Sequence, residues 1–122
     1  MYFHCDNDLR TYTISSYNDS TVVVNGSEYI FPVCVFSTCT PLNWPHDGGG
    51  VLTENSFLFL KEYELEVLLW GTGKDVSIDN FDLANKIVEH KLFFEIMPTQ
   101  SACRTFNILS SENRRVCAVL FP

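Results

Sequence analysis

Short, nearly continuous apolar runs alternate with amphipathic stretches along the second half of this chain. Residues 65–70 (LEVLLW) and 92–97 (LFFEIM) carry almost only apolar side chains, the pattern of strands covered on both faces. Between them Ala84, Ile87 and Val88 recur at i, i+3 and i+4, which predicts an amphipathic helix. Strand, helix and strand in that order predict a parallel pair joined by a right-handed crossover. A last helix is expected from Thr99 to Ser111, with Thr99 as its cap directly after Pro98. Glu112, Asn113 and Arg114 then turn the chain into a final strand, in which Cys117 alternates with Val116, Ala118 and Leu120 as a small core residue.

The first half has the shorter period of a β meander. Residues 10–17 and 21–24 read as strands joined by the turn Tyr17-Asn18-Asp19-Ser20. Asn25-Gly26 follows, the strongest hairpin signal in the chain, because both residues tolerate positive φ. The next strand is expected over 28–37. Residues 40–50 (TPLNWPHDGGG) are irregular and end on a run of glycines. After them, Thr53 caps a first helix ending near Glu62, with Leu52 and Phe57 as a hydrophobic staple. Asp79 caps the crossover helix, with Ile78 and Leu83 as the corresponding staple. The whole reads as one α/β domain spanning 1–122: a β meander over 1–39, a connection over 40–52 and an αβαβαβ unit over 53–122.

Charge and composition narrow the function classes. A formal charge of −7 with no cluster of Lys and Arg argues against nucleic acid as a partner. No apolar run approaches the ~20 residues of a spanning helix, so no membrane span is expected. The start, MYFHCDNDLR, lacks the basic and apolar regions of a signal peptide. The five cysteines show no paired spacing, either with each other or with the three histidines. That predicts free thiols, no metal site and a reducing, cytoplasmic setting.

Few constellations carry chemistry. Gly71-Thr72-Gly73-Lys74 follows a strand, as phosphate loops do, but matches neither GxxxxGK[ST] nor GxGxxG. A structural turn is the simpler reading. If the two apolar strands are parallel, this loop and Thr99 emerge side by side at the edge where open α/β sheets hold ligands, and the helix start there favours anions. On the last helix, Ala102, Phe106 and Leu109 fall on a core stripe, whereas Arg104, Asn107 and Ile108 face outward. A solvated surface, packing of the N-terminal meander and a patch for a partner all fit that outer face. Cys103 lies in the first turns, where a helix dipole lowers a thiol pKa. No His, Asp or Asn is spaced to activate it, so a packing role is favoured. Glu62, Glu64 and Glu66 alternate near a strand start, with Asp75 and Asp79 beyond its end; surface carboxylates explain them better than acid–base work. No catalytic residue is assigned.

The run Glu95, Met97, Thr99, Ala102, Arg104, Thr105, Asn107, Leu109, Glu112, Arg114 and Arg115, Val116, Ala118 and Leu120, together with Gly71-Thr72-Gly73, Asn25-Gly26 and Trp44, resembles a known family. This is the small α/β domain family of unknown function that includes the mitochondrial complex I assembly factor 3 and uncharacterised bacterial and archaeal relatives. The resemblance runs from about Ile14 to Leu120 and departs at Pro98, where many bacterial relatives carry an acidic residue. It implies a three-layer domain, with a central mixed, mostly parallel sheet of about five strands, an N-terminal antiparallel meander and about three helices. It also implies no established enzymatic activity, no cofactor, and action through contact with other proteins. The favoured reading is therefore a non-enzymatic domain that meets another protein during assembly or maturation of a complex, using Arg104, Asn107 and Ile108. The alternative is a binder of small molecules or anions, or an enzyme, using the edge of Gly71, Thr72, Gly73, Lys74 and Thr99.

Overall fold

The computed structural model describes residues 11–45, 53–88 and 93–122. Expectations placed on Arg10, on the glycine run 48–50, on Leu52 and on Leu92 lie outside these residues, as do the side chains of Ile78 and Asp79. In chain order the elements are β1 (Ile14–Tyr17), β2 (Thr21–Val24), β3 (Ser27–Ile30), β4 (Val33–Phe36), β5 (Leu42–Asn43), a 3₁₀ helix (Glu54–Tyr63), β6 (Val67–Gly71), α1 (Ile78–Val88), β7 (Phe94–Met97), α2 (Thr99–Ser111) and β8 (Val116–Leu120).

Two sheets result. β1, β2 and β3 form an antiparallel meander in that order, and the other strands form a five-stranded sheet ordered β5-β4-β8-β6-β7. Asn25 and Gly26, at φ 47° and 88°, make the β2–β3 turn as the sequence predicts. The single strand expected over 28–37 is instead two strands in two sheets. The break falls at Pro32, which has no N–H to give to a ladder. In the larger sheet β8 pairs antiparallel with β4 and parallel with β6, and β6 pairs parallel with β7. β5 is a short strand that the irregular connection did not announce; it pairs antiparallel with β4 at one sheet edge.

Strand alternation builds a core on each face of the central sheet. Val33, Val35, Val67, Leu69, Val116, Ala118 and Leu120 face α2 and the meander, where Ala102, Cys103 and Phe106 meet Val22, Val24 and Ile14. Cys34, Phe36, Leu68, Trp70, Cys117 and Val119 point the other way, onto Phe57 and Leu60 of the 3₁₀ helix and Ala84 and Ile87 of α1. Trp44 packs in this second layer, its ring 5.2 Å from Phe57 and 5.5 Å from Phe121.

The helix starts differ from the sequence reading in detail. The segment after Thr53 is a 3₁₀ helix, with the Ser56 hydroxyl accepting from the Thr53 N–H, and it closes at Glu64 in a left-handed conformation. α1 is opened by Ser77 rather than Asp79: the Asn80 carboxamide oxygen accepts from the Ser77 N–H at 2.8 Å and from its hydroxyl at 2.9 Å. Ser77, Asp79 and Asn80 are short polar residues around the start of this helix, and local periodicity does not rank them.

The meander is held to α2 through hydrogen bonds as well as apolar contact. The Asn107 carboxamide accepts from the Ile14 N–H and donates to the Ile14 carbonyl, both at 2.8 Å, as a neighbouring strand would. The Ser110 hydroxyl donates to the Tyr12 carbonyl at 2.9 Å. Phe106 is fully buried between these layers. Phe106→Ala should lower the unfolding free energy by about 3–5 kcal/mol, the range for removing a buried ring. Urea denaturation checks this; a loss below about 1 kcal/mol would show that the ring does not carry the packing of the two layers.

Candidate functional site

The parallel pairing of β6 and β7 places Gly71 opposite Met97, so the chain leaves both strands at the same sheet edge. Here the loop 71–74, the start of α2 and the exit of β8 are fastened together. The Thr72 N–H donates to the Met97 carbonyl at 3.0 Å, and the Thr99 N–H to the Gly73 carbonyl at 2.8 Å. The Gly73 N–H donates to the Thr99 hydroxyl oxygen at 2.8 Å, and that hydroxyl donates to the Phe121 carbonyl at 2.6 Å. The Phe121 N–H returns to the Gly71 carbonyl at 3.0 Å. Thr99 therefore does not cap the helix; Pro98 stands at the cap position and Thr99 is the first helical residue.

Both glycines are required by space. A Cβ at Gly71 would lie 3.0 Å from the Thr99 Cα, and one at Gly73 would lie 2.5 Å from the Pro122 carbonyl oxygen. Gly73 also holds φ at +96°, which side-chain-bearing residues rarely adopt. The Gly-Thr-Gly turn is thus a close-packed clasp whose Thr72 and Gly73 amides already have acceptors.

Next to the clasp a cleft of about 300 Å³ opens between the β1–β2 turn and the first turns of α2. Tyr17, Phe31 and Phe121 are among its walls; Lys74 and Arg104 line it, and Asp19 stands opposite in charge. The sequence separated an anion edge from an outward patch, yet Gly73, Lys74, Thr99 and Arg104 all border this one cleft. Arg104 is exposed, with Nη1 donating to the Tyr17 hydroxyl at 3.4 Å and Nη2 to the Ser101 hydroxyl at 3.3 Å. Among the described residues neither Arg104 nor Lys74 has a carboxylate within ion-pair distance. Asn107 is committed to the β1 backbone and does not present its amide outward. Ile108 is 59% exposed.

Other candidates take structural places. Burial pushes the Cys103 thiol up to about 12, with Arg104 opposing weakly, so the helix start does not activate it. Cys34, Cys103 and Cys117 are free and buried. Cys39 is disulfide-bonded. This corrects the expectation of five free thiols. Glu66 sits at the other end of β6 from the cleft. Its carboxylate accepts from the Arg115 N–H at 2.8 Å and lies 3.4 Å from Arg114, and these contacts hold its pKa below the ordinary value. The cleft walls Tyr17, Phe31 and Phe121 were not singled out from sequence. They come from three distant segments, and no local pattern joins them. Phe81 and Val88, two turns apart on α1, are also exposed on the opposite side of the central sheet.

A sequence profile for a protein family of unknown function (DUF498/DUF598) matches residues 14–121. The chain is similar to the NADH dehydrogenase (ubiquinone) 1 alpha subcomplex assembly factor 3 of Rattus norvegicus, with 30% identity over 111 residues that cover 89% of this chain and 60% of the relative. The Drosophila melanogaster protein of the same name is 32% identical over 104 residues, covering 80% and 52%. The chain thus spans about half to three-fifths of the length of these relatives. A crystal structure of a Bordetella parapertussis protein superposes with a TM-score of 0.74 at 25% identity, covering 92% of this chain and 96% of that one.

Two outcomes test the clasp and the thiols. Thr99→Val keeps the side-chain shape but leaves the Gly73 N–H without its acceptor, so it should destabilise by about 1–3 kcal/mol. Thr99→Ser should recover most of that loss in the same denaturation experiment, and equal losses would show that the hydroxyl is not the fastening group. In denaturant without reductant, alkylation and mass spectrometry should modify Cys34, Cys103 and Cys117 and spare Cys39. Modification of Cys39 would refute the bridge.

Proposed function

This chain belongs to the DUF498/DUF598 family of proteins of unknown function, and on that premise we propose that it acts by contact with another protein during assembly or maturation of a larger complex. The observation that carries the reading is the similarity, over most of the chain, to proteins named as assembly factors. Action by contact asks for a presented surface. The outer side of α2 supplies such a surface: Arg104 stands free of any carboxylate among the described residues, and the β-branched Ile108 lies exposed one turn further on. Arg combined with an exposed apolar neighbour is the composition of interface hot spots. Asn107 contributes indirectly, by fixing β1 beside that surface.

Membrane insertion is not part of this reading; no helix among the described residues is long and apolar enough to cross a bilayer. The contact is with a protein, made by a face whose own folding does not depend on it.

Arg104→Ala should therefore change the unfolding free energy by less than about 1 kcal/mol, as expected at a surface position. Ile108→Asp should be similarly mild. Both should remove a stoichiometric partner that co-purifies with the unaltered protein from its native source, while Phe81→Ser on the opposite side should retain it. Retention of the partner by both α2 variants would end the proposal for this face. A large stability loss in Arg104→Ala would show that the guanidinium is structural.

A further inference from the structure

We propose that the open edge of β7 accepts an extended segment of another protein as an added strand, with a basic residue between two apolar ones. β7 is an edge strand: among the described residues it pairs with β6 alone. The Phe93 and Met97 carbonyls accept from the Leu68 and Thr72 N–H groups, at 2.8 and 3.0 Å. Backbone direction alternates along a strand, so Glu95 also turns to β6. Phe94 and Ile96 therefore turn their N–H and C=O groups to the open side. Pro98, which has no N–H to give, ends the edge. Outward backbone groups of this kind are a template for one more strand.

Apolar side chains flank this edge on both faces of the sheet. Of the six large apolar side chains exposed among the described residues, three border it: Phe81, Val88 and Phe93 are each half exposed or more. α1 packs on β7. At 100° per residue Phe81, Asn85 and Val88 share a stripe about a right angle from the Ala84 and Ile87 core stripe. A right-handed crossover turns that flank of the helix beyond β7, away from β6. The other flank holds Leu83, partly buried against the core that α1 shares with the 3₁₀ helix. Phe93 is in phase with Met97, which packs on the α2 core, so it stands on the opposite face of the sheet.

Glu95 selects the occupant. It is exposed in the middle of the edge and has no ion-pair partner among the described residues. A charge that merely guarded the edge would not explain three exposed apolar side chains around it. In an antiparallel pairing that uses both Phe94 and Ile96, the residue opposite Glu95 is its nearest cross-strand neighbour. A second copy of this chain in that register would set Glu95 against its own counterpart, on a chain whose formal charge is −7. A lysine or arginine in that place is attracted instead. The residues on either side of it pair with Phe94 and Ile96 and fall on the α1 face, beside the Phe81 and Val88 stripe, where apolar side chains fit. The added strand therefore reads apolar, basic, apolar. This contact is separate from the one at Arg104 and Ile108 on α2 and does not rest on it.

The test titrates isotope-labelled protein with a capped heptapeptide that carries lysine at its centre, isoleucine on each side, and threonine and serine outside. One control has glutamate in place of the lysine. A second is N-methylated at the three central residues, which removes their donors for pairing in either strand direction. Backbone amide shifts and hydrogen exchange are the readouts. The lysine peptide should shift Phe94, Glu95 and Ile96 saturably and slow exchange of the Phe94 and Ile96 amides. The glutamate peptide should bind about fivefold or more weakly, the scale of replacing an opposite-charge cross-strand pair by a like-charge one. The N-methylated peptide should not bind. Glu95→Lys should reverse the preference between the two charged peptides. Phe81→Ser and Phe93→Ser, with unchanged melting temperature, should weaken the lysine peptide; Arg104→Ala should not. The proposal is overturned if the lysine peptide leaves these amides unmoved, if the N-methylated peptide binds equally well, or if Glu95→Lys keeps the original preference. Protection of Phe94 and Ile96 that grows with protein concentration, without peptide, would assign the edge to a second copy and overturn it too. Failure here with loss of the partner in Ile108→Asp would leave the α2 contact reading standing.

Discussion

The pairing of β8 with strands on both sides is the constraint on which the rest of this structure depends. Every residue of Val116–Leu120 is buried. In the order β5-β4-β8-β6-β7 this strand joins the antiparallel part of the central sheet to the parallel part among the described residues. Its alternation also divides the two cores. Val116, Ala118 and Leu120 serve the α2 and meander side, while Cys117 and Val119 serve the α1 side. A strand in this position must be apolar at every residue, because neither face meets water.

The candidate site is built where β8 ends. Phe121 is held by its N–H to Gly71 and by its carbonyl to the Thr99 hydroxyl. This draws the glycine turn, the helix start and the strand exit into one clasp. The clasp has a chemical consequence: it gives the Thr72, Gly73 and Thr99 amides acceptors within the fold. The cleft next to it is bordered by Tyr17, Lys74, Arg104 and the first turn of α2.

The outer side of α2 has two uses whose residues interleave along the helix. Asn107 and Ser110 bind the β1 segment through Ile14 and Tyr12, so this part of the helix is architecture. Arg104 and Ile108 are free of those bonds and carry the functional readings. A helix that anchors one layer while presenting charge and an apolar side chain beside it can offer a rigid contact surface, because the anchoring removes its freedom to tilt. Rigid presentation lowers the entropy of ordering on binding.

Element type and order were legible from the sequence because they follow from local periodicity. The runs that became β6, β7 and β8, the amphipathic α1 and α2, and the Asn25-Gly26 turn each carry their signal within a few residues. The α/β class and the adjacency of the Gly71–Lys74 loop to Thr99 also followed, since a right-handed crossover leaves little choice. Tertiary structure decided the rest. It split the expected strand 28–37 between two sheets, because Pro32 cannot donate to a ladder and the two halves bury against different layers. It turned Thr99 from a cap into a cross-link, since the acceptor of its hydroxyl, at Phe121, is remote in sequence. It committed Asn107 to β1, raised the Cys103 thiol by burial, and gathered Tyr17, Phe31, Lys74 and Arg104 around one cleft. Periodicity reports which face of an element is apolar, whereas hydrogen-bond partners, burial of a polar group and the walls of a cavity depend on segments that only folding brings together.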